Sequence, residues 1–233
     1  MALRRIGILG GMGPEATILL MQKVVKAVSA HDDADHIPLM VDQNPQVPSR
    51  IQRLIEGTGE DPEPVLAQMA ARLQAAGAQA LAMPCNTAHH YASTIRAAAS
   101  IPFLDMVALS VDHAAQLAGE GSRIGVLASP AVRRIGLLDA ALQARGLSAL
   151  YPTNEDVLLE AIRKIKAFGP DAVVSETLRA ASADLLANGA EIQMIACTEF
   201  SLIATATAPG VRAFDTLDRL TAAIVRFSQD GHH

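Results

Sequence analysis

Short apolar runs alternate along this chain with longer segments in which apolar residues recur every three or four positions. The first-half runs are Arg5-Ile-Gly-Ile-Leu-Gly, Ile37 to Asp42, Ala78 to Met83 and Phe103 to Met106. Runs of this length, bounded by turn residues, read as strands buried on both faces. The intervening segments predict helices from Pro14 to about Ala30, from Asp61-Pro62 to near Gly77, through Tyr91 and Arg96, and over Val107 to Leu117. Pro14 suits a first helical position, where its missing N–H would have no partner anyway. Strands alternating with helices predict an α/β chain with parallel sheets.

At Arg123 the pattern starts again. Arg123-Ile-Gly-Val-Leu-Ala repeats Arg5-Ile-Gly-Ile-Leu-Gly, and Ser129-Pro130 opens a helix as Gly13-Pro14 does. Cys85 lies 78 positions after Gly7, and Cys197 lies 72 positions after Gly125. Each opening is thus followed, at nearly the same distance, by a cysteine at the end of an apolar run. The chain reads as two similar Rossmann-like α/β domains related by a pseudo-twofold axis, with the site expected in the cleft between them, at the carboxyl ends of the strands. The expected domains are 1–107 with 211–233, and 108–210. The tail Ala213-Phe-Asp-Thr-Leu-Asp, with a helix to about Phe227, is expected to return to the first.

Composition narrows the function classes. Half of the 233 residues are hydrophobic but 3% are aromatic, so aliphatic side chains and alanine must fill the core. A formal net charge of −5, with both signs mixed along the chain, argues against a nucleic-acid partner. No run approaches the ~20 apolar residues of a membrane span. Met1-Ala-Leu-Arg-Arg-Ile lacks a signal peptide's apolar stretch, so a cytoplasmic location is expected, where a disulfide between the two cysteines is disfavoured. The terminal pair His232-His233 is given no role.

The two cysteines carry the candidate chemistry. Cys85 is followed by Asn86 and Thr87, and Cys197 by Thr198 and Glu199. Both thiols are expected where a strand gives way to a helix, whose free N–H groups and positive end favour a thiolate. Two such thiols can take a proton from one face of a carbon and return one to the other. Asn86, Thr87 and Thr198 have the donors to hold a carboxylate beside that carbon, although Asn86 and Thr198 would equally serve as helix caps. Arg50, after the turn-rich loop Asn44-Pro-Gln-Val-Pro, has the fork for a two-point grip on a carboxylate. Lys166 lies near a predicted helix end, with Lys164 as its competitor.

Other motifs are weaker. Gly11-Met-Gly13-Pro-Glu-Ala16 fits a loose dinucleotide fingerprint, but its expected acid, Asp42, falls 29 residues beyond Gly13 instead of about 20. The turn reads better as close backbone approach to a small anion. His89 and His90 are adjacent, diverge on a helix and have no evident third ligand, so no metal is expected. His89 lies about one helical turn beyond Cys85, but no third member of a hydrolase triad is evident.

With these residues in view, the chain resembles the cofactor-independent aspartate/glutamate racemase family over nearly its whole length. Gly10-Gly-Met-Gly-Pro-Glu-Ala-Thr resembles the family's opening turn, and Asn44-Pro-Gln-Val-Pro-Ser-Arg its substrate loop. Pro84-Cys-Asn-Thr-Ala-His and Cys197-Thr-Glu resemble its two catalytic segments. Ala196 departs from the glycine the family usually places before its second cysteine. The resemblance implies that Cys85 and Cys197 are the acid/base pair, and that Arg50 binds the side-chain carboxylate. Lys166 is the best match to the family's lysine; Asn86, Thr87 and Thr198 would hold the α-carboxylate, and Met12 would line the pocket. It implies no cofactor, a homodimer, and aspartate as a better substrate than glutamate. A glutamate or broad aspartate/glutamate racemase, a maleate isomerase or decarboxylase type, and a non-catalytic binder of small dicarboxylates or a nucleotide remain alternatives; a binder has no need of two thiols.

Overall fold

The computed structural model describes residues 3–230. The C-terminal His232-His233 pair lies outside them. Two compact units emerge: residues 1–106 with 217–233, and residues 107–216.

The first unit is built on strands β1 (Ile6–Gly10), β2 (Leu39–Gln43), β3 (Ala80–Ala82) and β4 (Phe103–Leu104), all parallel, in the order β2-β1-β3-β4. β1 and β3 are fully buried, as central strands covered on both faces must be. Helices α1 (Pro14–Ala27), α2 (Glu63–Ala75) and α3 (Ala92–Ala98) connect them. Pro14 is the first residue of α1. Before α2, Glu63 N–H donates to the Asp61 side chain at 3.0 Å, which supports the predicted start.

Helix α4 (Met106–Leu117) carries the chain into the second unit. There β5 (Arg123–Leu127) is followed by α5 (Pro130–Arg134), α6 (Leu137–Gln143) and β6 (Ser148–Leu150). Next come α7 (Asp156–Phe168), α8 (Ala172–Ala187), β7 (Ile192–Ile195) and β8 (Arg212–Asp215). This sheet is also parallel, in the order β6-β5-β7-β8. On α7 the buried residues Leu158, Ala161, Ile162 and Ile165 recur at helical spacing along one face. Asp171 caps α8 by accepting from Val174 N–H at 2.9 Å.

The two sheets have the same strand order, so the internal repeat read from Arg5 and Arg123 is a repeat of structure. It extends to single contacts. A Cβ on Gly7 would lie 2.9 Å from Ala78 Cβ and 3.1 Å from Leu73 Cβ; one on Gly125 would lie 3.2 Å from Ala190 Cβ and 3.1 Å from Leu185 Cδ1. Each glycine lets the helix before the third strand settle on the first strand. Each of those helices ends alike: Ala78 N–H bonds Leu73 O at 3.0 Å, and Ala190 N–H bonds Leu185 O at 2.9 Å.

The expected boundary at 211 is corrected. Residues 212–215 form β8, paired along their length with β7 of the second sheet, and the chain rejoins the first unit at Leu217. Helix α9 (Thr216–Gln229) then completes that unit. Lys23 on α1 pairs with Asp218 at 2.5 Å, and Arg4 N–H donates to Ser228 O at 3.1 Å. Among the described residues no helix is long and apolar enough to cross a membrane.

Candidate active site

Cys85 follows β3 and Cys197 follows β7, the third strands of their respective units. Both thiols are therefore at equivalent places in the repeat, beyond the carboxyl end of a central strand. Both are free and 7% exposed.

In the first unit, β1 leads into the Gly10-Gly-Met-Gly turn. Gly11 has φ +93°, and a Cβ there would fall 2.3 Å from the Asn44 carbonyl carbon. Only glycine lets the turn close onto the loop after β2. That closure brings Met12, Val47, Tyr91 and Cys85 into one buried cluster. Burial raises the Tyr91 pKa above its ordinary value. Asn86 is buried directly after the thiol and Thr87 is half-buried.

Arg50 is folded back on its own loop. Its Nη1 donates to Val47 O at 3.0 Å and Pro48 O at 2.6 Å, while its buried Nε has no protein partner. One edge of the guanidinium fixes the loop. It is thereby more than the surface charge an isolated arginine usually is.

In the second unit the thiol has an acid of its own. Cys197 Sγ donates to Glu199 Oε2 at 3.1 Å, and Glu199 Oε1 is ion-paired with Lys166 Nζ. Glu199 is buried, and so is Thr198. Burial pushes the Cys197 thiol pKa up; the Glu199 charge and its hydrogen bond add to the rise, and Lys166 opposes it. Cys197 therefore holds its proton at neutral pH. Lys164 is committed elsewhere, to Asp171 at 2.6 Å, so of the two competing lysines Lys166 reaches the thiol segment. Glu199 was not singled out in the sequence, although it stands two residues after Cys197. A carboxylate so close in sequence to a buried thiol was the available signal.

A helix follows each thiol, and it is of the 3₁₀ kind. Cys85 is followed by a 3₁₀ helix, Thr87–Tyr91, and Cys197 by another, Phe200–Ala206. In the first, Cys85 O meets His89 Nδ1 at 2.8 Å and His89 N–H bonds Asn86 O at 3.0 Å, the 3₁₀ pattern, instead of Cys85 O. The second is kinked at Ile203, whose φ is −128°. Asn86 makes no side-chain cap. Short, irregular helices offer little dipole, so specific side chains must govern these thiols. Among the described residues no group of three His, Cys, Asp or Glu side chains is placed to hold a metal ion.

Comparison with known proteins follows the same lines. The family model described as Asp/Glu/Hydantoin racemase matches residues 9–224. A broad-specificity amino-acid racemase of Bacillus subtilis is 35% identical over 106 residues, which span 44% of this chain and 45% of that protein. The aspartate racemase of Picrophilus torridus superposes with a TM-score of 0.86 at 24% identity, covering 97% of this chain and 94% of that one. A glutamate racemase of Francisella tularensis, solved with D-glutamate, superposes with a TM-score of 0.67 at 17% identity, covering 100% and 83%. At these identities the structural likenesses speak for the fold.

Proposed function

The chain belongs to the Asp/Glu/hydantoin racemase family, and from that premise we propose that it racemises an acidic amino acid, aspartate in preference to glutamate, without a cofactor. The observation that carries this reading is the thiol at the same place in each half of the repeat, beyond β3 and beyond β7.

In the proposed reaction Cys85 and Cys197 act on opposite faces of one α-carbon. Cys197, which rests protonated, delivers its proton to the carbanion while Cys85 removes the α-proton. In the reverse direction Cys197 first passes its proton to the Glu199 carboxylate while Cys85 takes one up from solvent; the Cys197 thiolate then removes the α-proton and the Cys85 thiol delivers its own to the opposite face. Arg50 holds the side-chain carboxylate with the N–H groups not engaged by Val47 O and Pro48 O. Asn86, Thr87 and Thr198 hold the α-carboxylate, where donors aimed at developing charge lower the barrier most. Lys166, paired with Glu199, offsets that carboxylate's charge beside a dicarboxylate substrate, and Met12 lines the pocket. Aspartate and glutamate differ by one methylene, worth ~1–3 kcal/mol of discrimination. The similarity to a broad-specificity racemase favours some activity on both.

The thiols must stay reduced for this chemistry, which fits a cytoplasmic location. We place the contact of a homodimer on α1. Ile18, Met21 and Val25 are exposed along one face of it. In an antiparallel pair of α1 helices centred on Met21, Ile18 packs on the partner copy's valine at position 25, and exposed Glu15 faces the lysine at position 26. Ala27, Ala222 and Val225 line an adjoining groove.

A chiral assay of D- and L-aspartate and D- and L-glutamate, with no added cofactor, tests the activity. Interconversion of the enantiomers, faster for aspartate, is the expected result. No racemisation of any of the four would refute the reading.

A further inference from the structure

His89 is 4% exposed and stands in the 3₁₀ helix that follows Cys85. Its two ring nitrogens face backbone groups of opposite kind. Nε2 lies 3.0 Å from Met106 N–H, which can only donate. Nδ1 lies 2.8 Å from Cys85 O, which can only accept. One protonation state satisfies both: a neutral imidazole with its hydrogen on Nδ1 and a lone pair on Nε2. A charged ring would point a second N–H at the Met106 N–H.

The groups packed around the ring keep it neutral. Burial lowers its pKa; Asp105, 3.9 Å from Nε2, opposes this, and Arg96 reinforces it. Arg96 is itself paired with Asp105 at 2.5 Å, which spends much of that carboxylate's field. Phe103 adds an apolar neighbour, with its ring centroid 5.3 Å away.

We infer that His89 is a positioning residue for the Cys85 thiol, tying the Cys85 carbonyl to the amide of Met106 through a single fixed tautomer. The inference rests on the reading of Cys85 as an acid/base group. It follows from what the ring is attached to. The carbonyl that His89 grips belongs to the residue that carries the thiol, and the backbone N–H that an α-helix would aim at it, that of His89 itself, bonds Asn86 O. The side chain thereby sets the turn on which Sγ is mounted. Met106 ends the first unit's N-terminal segment and is the first residue of α4, so the turn is anchored to the start of a helix. With both nitrogens spent on the backbone, His89 is not the base of a cysteine–histidine pair.

The test uses the whole enzyme and three variants. His89→Leu removes both bonds and is expected to lower kcat ~30–100-fold with little change in KM, the cost of a thiol misplaced by about 1 Å. His89→Asn keeps an N–H near the Nδ1 position and is expected to recover most of that loss. Cys85→Ser, run alongside, tests the parent reading: if it still racemises, Cys85 is not the acid/base group, and that failure is separate from this one. Nitrogen-15 NMR of the wild-type imidazole decides independently of activity, and also if His89→Leu does not fold. The expected spectrum has hydrogen on Nδ1, none on Nε2, and no titration near the ordinary histidine pKa of about 6.5. An Nε2-protonated or charged ring at pH 7, or a folded His89→Leu within about threefold of wild type in kcat, would overturn the inference.

Discussion

Replacing Glu199 with glutamine probes the Cys197 half of the mechanism with little change of shape. Glutamine keeps an acceptor oxygen 3.1 Å from Sγ but carries no charge and cannot take a proton. Two losses compete in size. The hydrogen bond falls from the charge-assisted class, about 1.5–3 kcal/mol, to the neutral class, about 0.5–1.5 kcal/mol. That difference of about 1–1.5 kcal/mol is roughly a tenfold effect. Loss of the proton acceptor removes a general-base contribution of ~10²–10⁴-fold. The second term dominates, so kcat/KM is expected to fall at least ~10²-fold. The enantiomers are equal in free energy, so the fall must be the same starting from D- or L-aspartate. The thiol itself responds in the opposite sense. Its pKa is raised partly by the Glu199 charge and hydrogen bond and lowered by Lys166; in the variant the charge is gone, the hydrogen bond is weaker and Lys166 remains. Cys197 should therefore titrate at lower pH, visible as thiolate absorbance in ultraviolet difference spectra. A Glu199→Gln enzyme within about threefold of wild type, or with Cys197 titrating higher, would refute the proton relay.

Arg50→Lys should weaken aspartate binding, raising KM ~10-fold or more, because an ammonium cannot make the two-point grip of a guanidinium; an unchanged KM would contradict the role given to Arg50. Gly11→Ala places a side chain at φ +93° against the Asn44 backbone and should cost at least about 1–3 kcal/mol in thermal unfolding; full wild-type stability would contradict the described closure. The raised pKa of Cys197 means that the unfolded chain releases this proton first. Its stabilising contribution is complete below the ordinary thiol pKa and is lost as pH rises through the folded value, at up to about 1.4 kcal/mol per pH unit within that window. Urea unfolding from pH 7 to 10 should show a decline in stability that is shallower in Cys197→Ser; identical slopes would argue against a buried, protonated thiol. Met21→Lys should convert a dimer to a monomer in light scattering, and a dimer that survives would remove α1 from the interface.

What the sequence revealed and what it hid have physical reasons. The parallel strands were legible because burial on both faces forces continuous apolar runs such as Ile6 to Gly10, and the repeat was legible because Gly7 and Gly125 answer the same steric demand. The thiols stood out because there are two and each ends such a run. The domain boundary at 211 was misplaced because β8, Arg212–Asp215, is an outer strand with two exposed residues, which weakens the apolar signal. The 3₁₀ form of the helix after Cys85 was not legible because the contacts of His89 Nδ1 with Cys85 O and of His89 N–H with Asn86 O leave no trace in periodicity. Glu199 was passed over because its importance comes from burial beside Sγ and from Lys166, 33 residues away in sequence. The choice between Lys164 and Lys166 needed the third dimension too, since adjacent faces of α7 send one to Asp171 and the other to Glu199.

The two-thiol proposal is tested most directly by following the α-proton of aspartate in heavy water, by NMR, with wild type, Cys85→Ser and Cys197→Ser. Wild type should wash deuterium into the α-position as the enantiomers interconvert, and neither serine variant should yield the opposite enantiomer. Inversion at a substantial rate by either variant would show that one sulfur suffices and would contradict the account.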